Sequence, residues 1–309
     1  MRYVCFLFIA VSIGFWIPAH AQENPLDQIA ASVQLDSVVV IAQKQGFDVR
    51  DFIRLVQEDT TFSGAFRRLR TMNWKGHHTM SFVDSRNRPL ASYSSHTRQK
   101  VVQACREMQE LDRKVEGRFF KKNGDFRFIT ADLYDRVFFT HGRVCNTGSK
   151  ALPTKESGLD HYYTALKHFI FEPGEEVDVP FIGGKTGLFN PEMLPAYDFQ
   201  IKADSTAAGK PVYVFGARIK PDFFSQHPNR SIVQYMETRF ERSSLQVLER
   251  SYRLAYRGLA FRFDVTMFIR LDSFQGGYFP AEVRYEGSWD IPMHPEETGR
   301  FSATFTPWQ

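Results

Sequence analysis

The segment Gly183-Gly184-Lys185-Thr186-Gly187 holds the Gly-Lys-Thr of a phosphate loop. In that motif backbone amides cradle phosphate oxygens, which requires a glycine five positions before Gly184. Val179 stands there, followed by Pro180 instead of a buried strand, so the segment reads as a turn. The chain has no Gly-x-Ser-x-Gly elbow to present a serine nucleophile, no His-Glu-x-x-His and no Cys-x-x-Cys. His77 and His78 are adjacent and would point to opposite faces of a strand, so they cannot readily share a metal with each other or with His96. Glu172, Glu175, Glu176 and Asp178 form an acidic turn, read as solvated surface, with a weak cation site as the alternative. The expectation is a non-enzymatic protein with no catalytic residue, metal or cofactor; a hydrolase with a dispersed site stays open.

Composition narrows the class further. The chain has 309 residues, 43% of them apolar, with 30 Phe against 20 Gly and 15 Pro, which excludes disorder, collagen-like repeats and a disulfide-dense miniprotein. A net charge of +4 with no basic block excludes nucleic acid as the main partner. Residues 1–21 read as a signal peptide: Arg2, an apolar centre, then Ala19-His20-Ala21. That centre, about 15 residues, is short of the ~20 needed to span a bilayer. No later segment reaches that length, so a transmembrane helix is not expected in the mature chain. The expected address is exported, periplasmic or outer-membrane-associated. Cys5 leaves with the leader, and Cys105 and Cys145 remain in a compartment where disulfides persist. A bond between them is expected, with two buried thiols as the alternative.

Apolar periodicity supplies the elements. Residues 22–45 read as a leader and first strand, the strand over the valine-rich 35–42. Val49, Phe52, Ile53 and Val56 recur at helical spacing behind Asp48, and 62–69 continues helically with Arg67, Arg68 and Arg70 toward solvent. Strands are predicted at 79–83, 126–129 and 133–139, with turns at Asn87 and Asn123-Gly124. The stretch 99–116 is ambiguous and is assigned to helix on the stripe Val101, Cys105, Met108, Leu111 and Val115. Residues 157–171 form the clearest helix, between Ser157 and Pro173-Gly174. Beyond 195 nearly everything alternates with period two: Tyr213, Phe215, Ala217 and Ile219, then Phe261, Phe263, Val265, Met267, Ile269 and Leu271, then Phe301, Ala303 and Phe305. One apolar and one polar face per strand is the pattern of an antiparallel sheet covered on one side.

The run through 212–215, 231–240 and 245–250 into 261–271 resembles the bacterial lipoprotein-carrier and outer-membrane lipoprotein-sorting superfamily. Gly46-Phe47-Asp48-Val49, 57–62, 133–139 and Trp289-Asp290-Ile291-Pro292 resemble a group of uncharacterised secreted bacterial proteins, which carries no assigned activity. The first resemblance implies an open half-barrel, a strongly bent antiparallel sheet with helices across its concave side. The expected fold is therefore α+β, one half-barrel domain over 46–309 with helices near 48–70 and 157–171. The expected function is an exported envelope protein binding a lipid or acyl chain in a concave apolar pocket. Tyr213, Phe215, Phe261, Phe263, Val265, Met267 and Ile269 are the candidate lining. The alternative is a noncatalytic envelope interaction module with a filled core and a protein partner.

Overall fold

In the computed structural model, which describes residues 24–145, 187–258, 262–291 and 296–309, Asp36 sets the path of the N-terminal region. Its carboxylate accepts the backbone N–H of Val39 at 2.9 Å and of Ala203 at 2.6 Å. The first contact caps a helix and the second pins it to the sheet. The expected strand over 35–42 is thereby corrected: after α1 (Pro25–Ser32) the chain forms β1 for only three residues (Val33–Leu35), then α2 (Ser37–Lys44). Of the β-branched residues in α2 only Val39 is buried; Val38, Val40 and Ile41 are exposed.

Two amphipathic helices follow, α3 (Val49–Glu58), whose N-terminus Asp48 caps, and α4 (Thr61–Leu69). Next come β2 (Trp74–Val83), β3 (Pro89–Val102) and β4 (Cys105–Gly117). The helix expected over 99–116 is thus a β-hairpin. Its two-residue turn places Gln103 and Ala104 at positive φ (50° and 62°), the hairpin geometry usually signalled by Asn-Gly. The strand expected at 126–129 is reduced to an isolated antiparallel bridge of Phe126 with Phe120, and the one expected at 133–139 is replaced by α5 (Ile129–Phe138). The carboxylate of buried Glu297 accepts the N–H groups of Ile129 and Thr130 at 2.7 and 2.9 Å, so an anion from a distant strand holds the positive end of α5.

The remaining elements are β5 (Val144–Cys145), β6 (Tyr197–Ser205), β7 (Pro211–Ile219), α6 (Pro221–Gln226), β8 (Val233–Glu241), β9 (Val247–Arg257), β10 (Arg262–Phe274), β11 (Gly277–Asp290) and β12 (Glu297–Pro307). The strands form one sheet in the order β1-β6-β7-β8-β9-β10-β11-β12-β2-β3-β4-β5. All pairings are antiparallel except β1 with β6. The C-terminal strand inserts between β11 and β2, so the strands before and after residue 187 share one sheet. Its edges do not meet: the fold is α+β, an open half-barrel with helices on the concave side. Cys105 and Cys145 are disulfide-bonded directly across β4 and β5. The leader 1–21, the helix expected at 157–171, the 172–178 acidic turn, residues 183–186 of the expected turn and Phe261 lie outside the described residues.

Candidate functional site

Cross-strand register lines up the concave face. Ile201, Phe215, Thr238, Arg250, Ile269 and Val283 are successive partners from β6 to β11, and Ala303, His78 and Ser95 carry the same row into β3. None of them exceeds 1% exposure. The polar members of a row so dry are the ones that require partners.

Arg250 is the most demanding. Its Nη2 donates to Asp59 Oδ2 at 2.7 Å and its Nε to Thr238 Oγ1 at 3.0 Å, while the guanidinium lies 4.3 Å from the centre of the Phe62 ring. Asp59 also accepts the N–H of Thr61 at 3.0 Å, so one carboxylate organises the start of α4 and neutralises the buried cation. Burial pushes the neighbouring Tyr252 hydroxyl upward in pKa, against the pull of Arg250. The guanidinium also hydrogen-bonds the Tyr252 side chain, while Arg250 Nη1 is shielded from solvent with no acceptor among the described residues. Leaving such a donor unmet costs roughly 1–3 kcal/mol.

His78 occupies the other half of the row. Its Nδ1 lies 2.5 Å from the Tyr134 hydroxyl on α5 and its Nε2 2.6 Å from the Thr97 hydroxyl on β3. A neutral imidazole serves both, one nitrogen donating and the other accepting. Burial, with His77 and His96 nearby, pushes the His78 pKa down to about 3. Both ring nitrogens are engaged, and His78 is fully buried. It therefore has no exposed nitrogen with which to move a proton to a substrate. Its counterparts His77 and His96 stack on the outer face, ring centres 4.5 Å apart. Among the described residues no cluster of three or more His, Cys, Asp or Glu could hold a metal ion.

Of the sequence-predicted lining, Phe215, Phe263, Val265, Met267 and Ile269 are buried in one apolar cluster, and Tyr213 is partly buried against it. Phe215 packs with Phe189 and Phe199, and Phe263 stacks on Trp289 at 5.1 Å. Tyr213 meets Phe47 at 5.0 Å and Phe52 of α3 at 6.1 Å, and Phe52 also meets Phe240 at 5.0 Å. The helices thus rest directly on the concave aromatic surface in this state. Sequence reasoning missed Arg250, Asp59 and Thr238. The available signal was Arg250 at an inward position of the alternating run Arg250, Tyr252, Leu254, Tyr256.

A second feature lies where α4 ends above the β10–β11 turn. Arg68, expected to face solvent, instead donates through Nη2 to the carbonyls of Phe274 at 2.6 Å and Gln275 at 3.1 Å. Gly277 makes room for it: a Cβ there would stand 2.5 Å from Arg68 Nη1. Beside it is a cleft of about 660 Å³ bordered by Arg68, Thr71, Asn73, Phe274, Gln275 and Trp308 among others.

No protein-family model and no curated protein matches the chain. Among solved structures it is similar to an outer membrane lipoprotein-sorting protein domain from Vibrio parahaemolyticus, with 7% identity over 79% of this chain and 89% of that one, TM-score 0.27. It is similar to a DUF1329 family protein from Desulfovibrio piger, with 10% identity over 80% and 92%, TM-score 0.24. A LolA superfamily protein from Nitrosomonas europaea shows 8% identity over 81% and 95%, TM-score 0.21. At these values none of the three lends this chain an activity, and its function is argued from its own residues.

Proposed function

We propose that this is a non-enzymatic, exported envelope protein whose concave face receives the acyl portion of a lipid-like ligand. In this reading α3 and α4 form the cover and Arg250 is the polar anchor beneath it. The observation that carries it is the Arg250 Nη1 donor, buried in an aromatic surface with no acceptor among the described residues. A carbonyl or carboxylate at the head of an apolar chain supplies that acceptor. Each methylene buried adds about 0.8 kcal/mol, offset by the cost of displacing the helices.

The second reading is a noncatalytic envelope interaction module with a filled core and a protein partner. The ring contacts of α3 with Tyr213 and Phe240 favour it. Native mass spectrometry of gently purified protein separates the two. A co-purifying lipid mass, lost on extraction and restored by adding back a fatty acid, supports the first reading. A bare chain that takes up none supports the second.

A further inference from the structure

The cleft beside the C-terminus of α4 has the chemistry of an anion site, independently of the concave face. Two of its bordering residues carry N–H donors that are shielded from solvent and have no acceptor among the described residues, Arg68 Nε and Trp308 Nε1. The other two tryptophans beyond the leader are satisfied: Trp74 Nε1 donates to the Leu69 carbonyl at 2.8 Å and Trp289 Nε1 to the Tyr285 hydroxyl at 2.6 Å.

Positive charge collects around this spot, which Gln309 also borders. The Arg98 guanidinium lies 4.2 Å above the Trp308 ring. Arg106 is the cross-strand partner of Val101, which borders the cleft, and Arg70 precedes Thr71, which does the same. Burial lowers the pKa of both Arg70 and Arg106, and for Arg70 the charge of Arg106 adds to the effect. None of Arg68, Arg70, Arg98 and Arg106 makes an ion pair with a carboxylate among the described residues. The walls are held in place: Trp308 N–H donates to the Asn73 carbonyl at 3.2 Å, and Gln99 Nε2 donates to the carbonyls of Leu69 and Met72 at 2.8 and 2.9 Å. Met72, Val101 and Phe274 add an apolar border.

We propose that this cleft binds a phosphate or carboxylate group, with Arg68 and Trp308 as its hydrogen-bond donors and Arg98 supplying charge. An anion there meets the two orphaned donors and neutralises clustered guanidinium groups in a partly desolvated setting, where charge-assisted hydrogen bonds are strong. The apolar border suits a group carried on a hydrocarbon body. A lipid headgroup and a free anion share this chemistry.

The test is a titration followed by the Trp indole N–H signals in ¹H–¹⁵N NMR, with the Trp308 signal assigned by Trp308→Phe. Inorganic phosphate and decyl phosphate are the two probes. The expected result is a saturable shift of the Trp308 indole signal while those of Trp74 and Trp289 stay in place, with affinity falling at least tenfold in Arg68→Gln. Arg98→Gln, which leaves the Arg68 contacts to the β10–β11 turn intact, is expected to weaken binding several-fold and serves if Arg68→Gln does not fold. Tighter binding of decyl phosphate identifies a lipid-type headgroup, and equal binding identifies a free anion; both support the site. Absence of a saturable shift with either probe, or affinities unchanged in a folded arginine variant, overturns it. Loss of acyl-chain binding at Arg250 leaves this result untouched, so the two assignments stand or fall separately.

Discussion

Arg250 Nη2 and Asp59 Oδ2 lie 2.7 Å apart with both side chains shut off from solvent, and this pair fastens the loop between α3 and α4 to the middle of β9. The attraction offsets the desolvation of two charges, so the pair as a whole adds little to stability, whereas each half alone is costly.

Asp59→Ala is accordingly expected to destabilise the fold by about 3–5 kcal/mol, because it strands a buried guanidinium. The double variant Asp59→Leu with Arg250→Met is expected to recover most of that loss. Urea unfolding of the two, compared at equal m-value, decides: equal midpoints for the single and double variants would falsify the buried-pair account.

His78 links stability to acid. Its folded pKa of about 3 lies below the unfolded value near 6.5. The unfolded chain therefore binds the proton first as pH falls. The His78 contribution is fully present above pH 6.5 and is lost progressively from there down to pH 3, with a limiting slope of about 1.4 kcal/mol per pH unit. Wild type is expected to lose about 2–3 kcal/mol more than His78→Gln between pH 7 and pH 4.5. Carboxylates titrate in both proteins and cancel in the comparison. Parallel curves for the two would remove His78 from the account.

Gly76 is the residue that lets the His78 ring lie where it does. A Cβ at Gly76 would stand 2.5 Å from His78 Nε2 and 2.8 Å from Trp74 Cζ3. Gly76→Ala is expected to destabilise by about 1–3 kcal/mol, the usual cost of overpacking a core. It should also shift the His78 ring signals in NMR. Wild-type stability with unmoved ring signals would show that the site has room.

The disulfide joins the two-residue strand β5 to the edge of the sheet. Cys105→Ser with Cys145→Ser is expected to lower stability by about 2–4 kcal/mol, chiefly by relaxing a constraint on the unfolded chain. Hydrogen exchange should rise first at Val144, whose strand pairing is with Arg106 beside the bridge. Unchanged exchange there would mean that β5 is held by other contacts.

How much of this was readable beforehand follows from the range of the interactions. The half-barrel and its inward faces are written in local alternation, as in the run from Phe263 to Leu271, because period two is a property of neighbouring residues. The segments that escaped are governed from afar or by atypical turns. Residues 35–42 are β-branched, yet Asp36 caps a helix there and is itself tied to Ala203. The helix Ile129–Phe138 depends on Glu297, which lies more than half the chain away. The β3–β4 hairpin turns at Gln103-Ala104, a pair with no turn preference. At the candidate site the aromatic surface was legible, whereas Arg250 was not, since its partner Asp59 meets it only in the folded chain.

The measurement closest to the central claim is the titration of a fluorescent fatty acid into purified wild type and Arg250→Met, both checked as folded by circular dichroism. Saturable uptake by wild type, weakened at least tenfold in Arg250→Met, is the predicted result. No saturable uptake by wild type, or equal affinity in the two proteins, contradicts an acyl-binding concave face anchored at Arg250.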